Sequence, residues 1–163
     1  MRVVSDTSPL SNLAIIGRLE LLREQFVEVL IPESVATELK SFGHRRGREL
    51  LEAAQTDGWI RIVAVTDPAM AALISAQLDR GEAEAIALAT ELRADWLLID
   101  EREGRMIARL AGLRMTGVLG VLLRAKLEGR IPALKPEIEA LRSDARFFIS
   151  KDLESEVLAH AGE

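Results

Sequence analysis

Short apolar runs, each closed by polar turn-forming residues, alternate along this chain with longer stretches whose apolar positions recur at helical spacing. Arg2-Val3-Val4-Ser5 reads as a buried strand stopped by Asp6-Thr7-Ser8-Pro9, with Ser8 as helix N-cap and Pro9 at the first helical position. The first helix runs through Leu10, Leu13 and Ala14 and breaks at Gly17; a second short helix spans Arg18 to Gln25. Phe26 to Ile31 is the second strand, and Pro32 opens a third helix with Val35, Leu39 and Phe42 on one side. Gly43 to Arg48 is polar and reads as a surface loop or a frayed helix start, followed by helix from Arg48 to Gln55 and a third strand from Trp59 to Val65. Thr66-Asp67-Pro68 starts a helix over Met70 to Leu78, and Asp79 or Gly81 introduces an Ala-rich helix from Glu82 to Arg93. Trp96 to Ile99 is the fourth strand, ending at Asp100. A helix from Glu101 to Leu110, a short strand at Arg114 to Thr116 and a helix ending near Gly129 follow. The tail holds an amphipathic helix through Leu141, an apolar strand at Phe147-Phe148-Ile149 and a last helix capped by Ser150.

Strands of a few residues alternating with helices predict an α/β fold, a three-layer α/β/α sandwich with a mainly parallel sheet. The strands are apolar almost throughout, as expected when helices cover both faces. A length of 163 residues suits a single domain, and neither an internal repeat nor a flexible linker divides it.

Composition narrows the chemistry. Aromatic residues make up 4%, so the core is built from Leu, Ile, Val and Ala, and a base-stacking platform is disfavoured. No cysteine is present, which removes disulfides, thiolate metal sites and cysteine nucleophiles. His44 and His160 stand far apart, which argues against histidine-based zinc chemistry. A metal here must be held by oxygen, which points to Mg2+ or Mn2+. Met1 leads into a short apolar run without a cleavable signal, and no apolar stretch approaches the ~18 residues of a membrane span. The expected location is cytoplasmic. A net charge of −5 does not announce a nucleic-acid binder, although all basic residues except Lys40, Lys126, Lys135 and Lys151 are arginine, the better bidentate partner for phosphate.

In open parallel α/β sheets ligands bind beyond the carboxyl ends of the strands. That rule selects Asp6 after strand one, Asp100 after strand four, Glu38 in the helix after strand two, and Glu82 and Glu84 in the helix before strand four. Carboxylates converging there repel one another unless a divalent cation neutralises them. Each also has a plain structural reading. Asp6 and Asp100 suit turn or N-cap positions, Glu38 suits a solvated helix face, and Glu82 and Glu84 favour a helix N-terminus. Glu82 and Glu84 point about 200° apart on a helix, so one of them at most faces a given metal, and spacing does not choose.

Four segments in order carry a family resemblance: Val4-Ser5-Asp6-Thr7-Ser8, Ile31 to Leu39, Gly81 to Ala89, and Trp96 to Glu101. Together they resemble the PIN domain, specifically the toxin nucleases of bacterial and archaeal toxin–antitoxin pairs. The likeness covers a core of about 2–120 and leaves residues 130–163 as a helical and strand extension of one domain, 1–163. It implies a Mg2+- or Mn2+-dependent endoribonuclease with Asp6 as first acid, Glu38 as second and Asp100 or Glu101 as last. An ungapped alignment puts the third acid at Glu84, and Ser8 matches a polar residue that supports the first aspartate. The sequence departs from the family pattern in having Glu as third acid, and Ile99-Asp100-Glu101 where Thr-x-Asp is usual. The resemblance also implies homodimers and an inhibitory antitoxin partner. Arg102, Arg105 and Arg109 form a stripe on one helix face, with Arg45 and Arg46 a second patch; either could hold an RNA backbone or simply be solvated. The alternative is a PIN-like RNA-binding or protein-interaction module that no longer cleaves. A phosphoacceptor receiver-like domain is disfavoured, because no lysine follows a late strand.

Overall fold

Alternating side chains on each strand enter two different apolar clusters, and that alternation builds the layers. Val3 and Leu98 join the larger cluster, whereas Val4, Leu97 and Ile99 join the smaller one on the opposite face. The structure is a computed structural model and describes residues 1–163. Its strands are β1 (Val3–Ser5), β2 (Val29–Ile31), β3 (Ile60–Ile62), β4 (Trp96–Leu98) and β5 (Met115–Thr116). All four pairings are parallel, in the order β3-β2-β1-β4-β5. The three-layer α/β/α expectation holds, and the sheet is parallel throughout.

Helices α1 (Thr7–Ile15), α2 (Glu20–Phe26), α3 (Glu33–Lys40), α4 (Arg45–Thr56) and α5 (Pro68–Ile74) lie before β4, as does α6 (Arg80–Glu91). After it come α7 (Arg102–Leu110), α8 (Val118–Leu127), α9 (Lys135–Ser143) and α10 (Lys151–His160). The larger cluster takes in α1 to α4 and α8 to α10, and the smaller one α6 and α7. The tail adds Ile131, Leu134, Ile138, Leu141, Ile149 and Val157 to the larger core. An ion pair from Arg18 Nη2 to Glu137 Oε1 at 2.6 Å ties α9 to the turn after α1.

Chain order reverses at β1. From β1 the chain moves outward to β2 and β3, then crosses back to place β4 on the other side. Such a switch point leaves a crevice at the carboxyl ends of the two central strands. Ser5 pairs with Leu98, so the residues following β1 and β4 emerge side by side in that crevice.

Several local expectations are corrected. Asp6, not Ser8, is the N-cap of α1, and Pro9 lies in the first turn, where its missing N–H removes no helical bond. Of the two readings for Gly43 to Arg48, the helix start holds from Arg45, because the His44 ring nitrogen accepts from Gly47 N–H at 2.9 Å and caps α4. Phe26 ends α2 and does not begin β2, and α5 stops at Ile74, well short of Leu78. Phe147-Phe148-Ile149 is no strand: it makes no ladder and instead inserts Ile149 into the core beneath α10. A strand requires a partner edge, and β propensity alone does not supply one. Ser150 caps α10 as expected, accepting from Leu153 N–H at 3.2 Å. No helix is long and apolar enough to cross a membrane.

Candidate functional site

Asp6 is the centre of the crevice. Its N–H donates to the Leu98 carbonyl at 2.9 Å, extending the β1–β4 ladder by one residue and fixing the side chain at the sheet's edge. The residue is 4% exposed, and its carboxylate makes no capping bond to α1. Burial pushes Asp6 up from 3.8 to about 7; a hydrogen bond from Thr7 opposes this, and Glu82, Asp79 and Glu38 reinforce it.

Glu38 reaches the same place from α3, the helix after β2. Thr7 Oγ1 donates to Glu38 Oε2, so one residue braces both carboxylates. The other Glu38 oxygen lies on the first turn of α6. A Cβ at Gly81 would stand 2.5 Å from Glu38 Oε1, so the absence of a side chain there creates the cradle.

Glu82 is locked by the start of its own helix. Asp79 Oδ1 accepts from Glu82 N–H at 2.9 Å, while Glu82 Oε2 accepts from Asp79 N–H at 3.3 Å, a reciprocal capping box. Burial pushes Glu82 from 4.5 to about 7, with Asp79, Glu101 and Glu103 adding repulsion against a hydrogen bond from Asp79. Glu84 points elsewhere. It accepts from Ser34 N–H at 3.1 Å and Arg80 Nε at 3.1 Å, holding α6 against the start of α3. Burial raises Glu84, but the bonds from Ser34 and Arg80 outweigh it and hold the group below its ordinary value.

At the end of β4, Asp100 Oδ1 accepts from Val118 N–H at 2.9 Å and so caps α8. Gly117 allows this approach, since a Cβ there would collide with the same oxygen. Asp100 Oδ2 is buried and has no hydrogen-bond partner. Burial pushes Asp100 from 3.8 to about 6, against the lowering effects of the Val118 bond and Arg105. Glu101 is the exposed N-cap residue of α7 and makes no capping bond.

The structure therefore brings Asp6, Glu38 and Glu82 to one crevice. Asp100 follows Ile99, the residue opposite Asp6 on the neighbouring strand, with its carboxylate turned to the start of α8, and Glu101 adds charge next to Glu82. None of the molecule's ion pairs involves any of these five. Their side chains do not close into a group of three at metal-ligand spacing. The donor set suits a hard divalent cation nonetheless: it is all carboxylate oxygen, one buried oxygen of Asp100 is unpartnered, and Gly81 leaves a cradle for Glu38.

Other expected residues fall outside the cluster. Ser8 Oγ accepts from Asn12 Nδ2 at 3.2 Å within α1. Thr7 braces Asp6 and Glu38, and Asp79 braces Glu82; the sequence alone singled out neither. Their signals were present: Thr7 adjoins Asp6, and Asp79-Arg80-Gly81-Glu82 has the acid-x-x-Glu spacing of a capping box. In the arginine stripe, Arg105 Nη1 donates to the Ile99 carbonyl at 2.9 Å, while Arg102 and Arg109 are exposed. Arg45 pairs with Glu49 at 3.1 Å on the exposed side of α4, and Arg46 beside it is exposed.

Residues 2–163 match the model of a protein family, DUF3368, described as a PIN domain. No curated protein matches the chain.

Proposed function

The chain belongs to the PIN-domain family, and on that premise we propose that it is a Mg2+- or Mn2+-dependent endoribonuclease, the toxin of a toxin–antitoxin pair. PIN domains are generally nucleases that use divalent metals, so hydrolysis of a nucleic-acid phosphodiester is the family's general chemistry. One observation carries the specific reading: Asp6 is 4% exposed at a topological switch point, faces Glu38, Asp79 and Glu82, and has no basic partner.

Asp6, Glu38 and Glu82 would hold the ion, with Asp100 Oδ2 and Glu101 contributing from the end of β4. When bound, the cation supplies Lewis-acid stabilisation of charge developing on the phosphodiester. Thr7 keeps the Glu38 carboxylate turned toward Asp6, and Asp79 fixes the rotamer of Glu82. Burial and mutual repulsion raise Asp6 and Glu82 to about 7, so cation binding at these carboxylates would be coupled to proton release. An antitoxin or a second copy of the chain would cover apolar side chains such as Leu73, Met106 and Leu110, exposed on α5 and α7.

The test is cleavage of labelled RNA by the purified chain with Mn2+ and with chelator, beside Asp6→Asn. Cleavage that needs Mn2+ and disappears in Asp6→Asn supports the proposal; cleavage that survives either change removes it. The second reading, a PIN-like module that binds RNA or protein without cleaving, is favoured by the open spacing of the carboxylates. RNA binding with no Mn2+-dependent product would select it.

Two substitutions separate roles within the cluster. Glu84→Gln is expected to leave cleavage intact and lower stability by about 1 kcal/mol, or ~2–4 °C in melting temperature, by weakening a charge-assisted tie between α6 and α3. Loss of cleavage with unchanged melting temperature would instead move the third acidic role to Glu84. Gly81→Ala is expected to push the Glu38 carboxylate out of its cradle and weaken Mn2+ binding by roughly tenfold. The moving group is the end of a flexible side chain, and alanine favours a helix by about 1 kcal/mol over glycine, so the melting temperature should not fall appreciably. Calorimetric titration reads the first effect and thermal unfolding the second; unchanged Mn2+ affinity would take Glu38 out of the ligand set.

A further inference from the structure

Outside the carboxylate cluster, one aromatic ring stands apart from the others. The chain has four Phe, two Trp and no Tyr. Phe26 and Trp59 are buried, Phe42, Trp96 and Phe147 pack partly against the large core, and Phe148 alone is largely exposed, at 87%. Phe148 is held in place from both sides. Phe147 N–H donates to the Leu141 carbonyl at 2.9 Å, and the Ile149 carbonyl accepts from Arg142 Nη2 at 3.1 Å. Ile149 itself is buried, so the exposed ring is presented on an anchored segment.

Phe148 forms part of the wall of a cavity of about 420 Å³. Leu119, Met115 and Leu153 provide apolar sides, and Arg105 and Asp100 are among its polar residues. Asp100 ends the strand that neighbours β1, so the cavity opens at the same end of the sheet as the carboxylate crevice. Arg105 spends one N–H on the Ile99 carbonyl and forms no ion pair, which leaves further guanidinium donors for an anion. Apolar walls, one exposed ring and a guanidinium with donors to spare, at the same end of the sheet as the carboxylates, match a flat aromatic group attached to a phosphate.

We propose that this cavity receives one unpaired nucleobase of the RNA substrate, stacked on Phe148, with Arg105 against the adjoining phosphate. The proposal rests on the nuclease reading and adds to it a base-binding subsite outside the carboxylate cluster. A base enters such a cavity only when it is free of a duplex stack, so the subsite takes a nucleotide of an unpaired segment. The scarcity of aromatics in the sequence is compatible with this, because a single-base subsite needs one ring.

The experiment measures binding by fluorescence anisotropy in the Asp6→Asn background without Mn2+, so that the RNA is not consumed. The probes are a short labelled single-stranded oligoribonucleotide, the same strand as a duplex, and single strands carrying one abasic nucleotide at successive positions. Phe148→Ala is expected to weaken single-strand binding by about 5- to 150-fold, the range of one base–aromatic stack, and Phe148→Trp to preserve it. An abasic nucleotide at one position should reproduce the loss with Phe148 present and add nothing to Phe148→Ala. Unchanged affinity in Phe148→Ala, preference for the duplex, or no binding of any probe would overturn the proposal. So would a change in oligomeric mass of Phe148→Ala without a change in RNA affinity, which would assign the ring to a protein interface. Because the ring is exposed, an unchanged melting temperature serves as the folding control. Cleavage by the native chain with a neutral Phe148→Ala sinks the base subsite alone; a Phe148-dependent stack without cleavage sinks the nuclease reading alone.

Discussion

Asp6→Asn is expected to abolish Mn2+-dependent cleavage and, in the metal-free protein at pH 8, to raise the melting temperature. The substitution keeps the size and shape of the side chain and sacrifices no capping bond, since the carboxylate makes none to α1. It removes a negative charge that the cation needs. Loss of residues that merely orient metal ligands typically costs about 10- to 100-fold, so loss of a central ligand should exceed about 100-fold. Stability moves the other way. An aspartate displaced from 3.8 to about 7 carries a penalty on the order of 4 kcal/mol when ionised in the folded state. Asparagine avoids that penalty but buries an amide that needs partners, at a cost of about 1–3 kcal/mol. A net gain of about 2 kcal/mol corresponds to ~4–8 °C for a protein of this size. A variant that cleaves normally, or one that melts lower than the native chain, would show that Asp6 holds the fold together and does not hold an ion.

The stability of the metal-free chain should fall as pH rises from about 4.5 to 7.5, and Mn2+ should reverse the trend. Asp6 and Glu82 are both raised in the folded state to about 7, from 3.8 and 4.5. Below about pH 4 the groups are protonated in both states and contribute no difference. Between the unfolded and folded values the native state binds more protons, so stability declines with each step upward in pH. Above about pH 8 both states are ionised and the full penalty is present. Asp100, raised to about 6, adds to the lower part of the same window. A cation that binds only the folded, ionised cluster adds about 2.7 kcal/mol at one hundred times its dissociation constant. The Mn2+-induced rise in melting temperature should therefore be small at pH 5 and large at pH 8, and Asp6→Asn should flatten both curves. Metal-free stability that increases steadily from pH 5 to 8 would mean these carboxylates are ordinary solvated acids.

Much of the site was legible because its signals are local. A strand followed by Asp6, and another followed by Asp100, can be read from a few consecutive residues, and the switch-point rule then gives such positions meaning. Glu82 against Glu84 was open from sequence because both lie in the first turns of one helix. The phase of that helix against α3 leaves Glu84 facing Ser34 and Glu82 facing Asp6. Serine before proline favours a helix start, which points from sequence to Ser8 as the N-cap. The backbone enters the helix one residue earlier, where the Asp6 N–H still belongs to the sheet.

Asp6 thus stands where hydrophobic patterning first located it, at the end of a buried strand before a helix. Patterning alone also determined the α/β class and the alternation of elements, because turn chemistry and side-chain period act over a few residues. Only the tertiary structure decided the strand order, the convergence of Asp6, Glu38 and Glu82, and the presentation of Phe148 beside Asp100. Those arrangements depend on contacts between distant segments, such as Asp6 with Leu98 and Phe147 with Leu141, whose geometry is set when both layers close over the sheet.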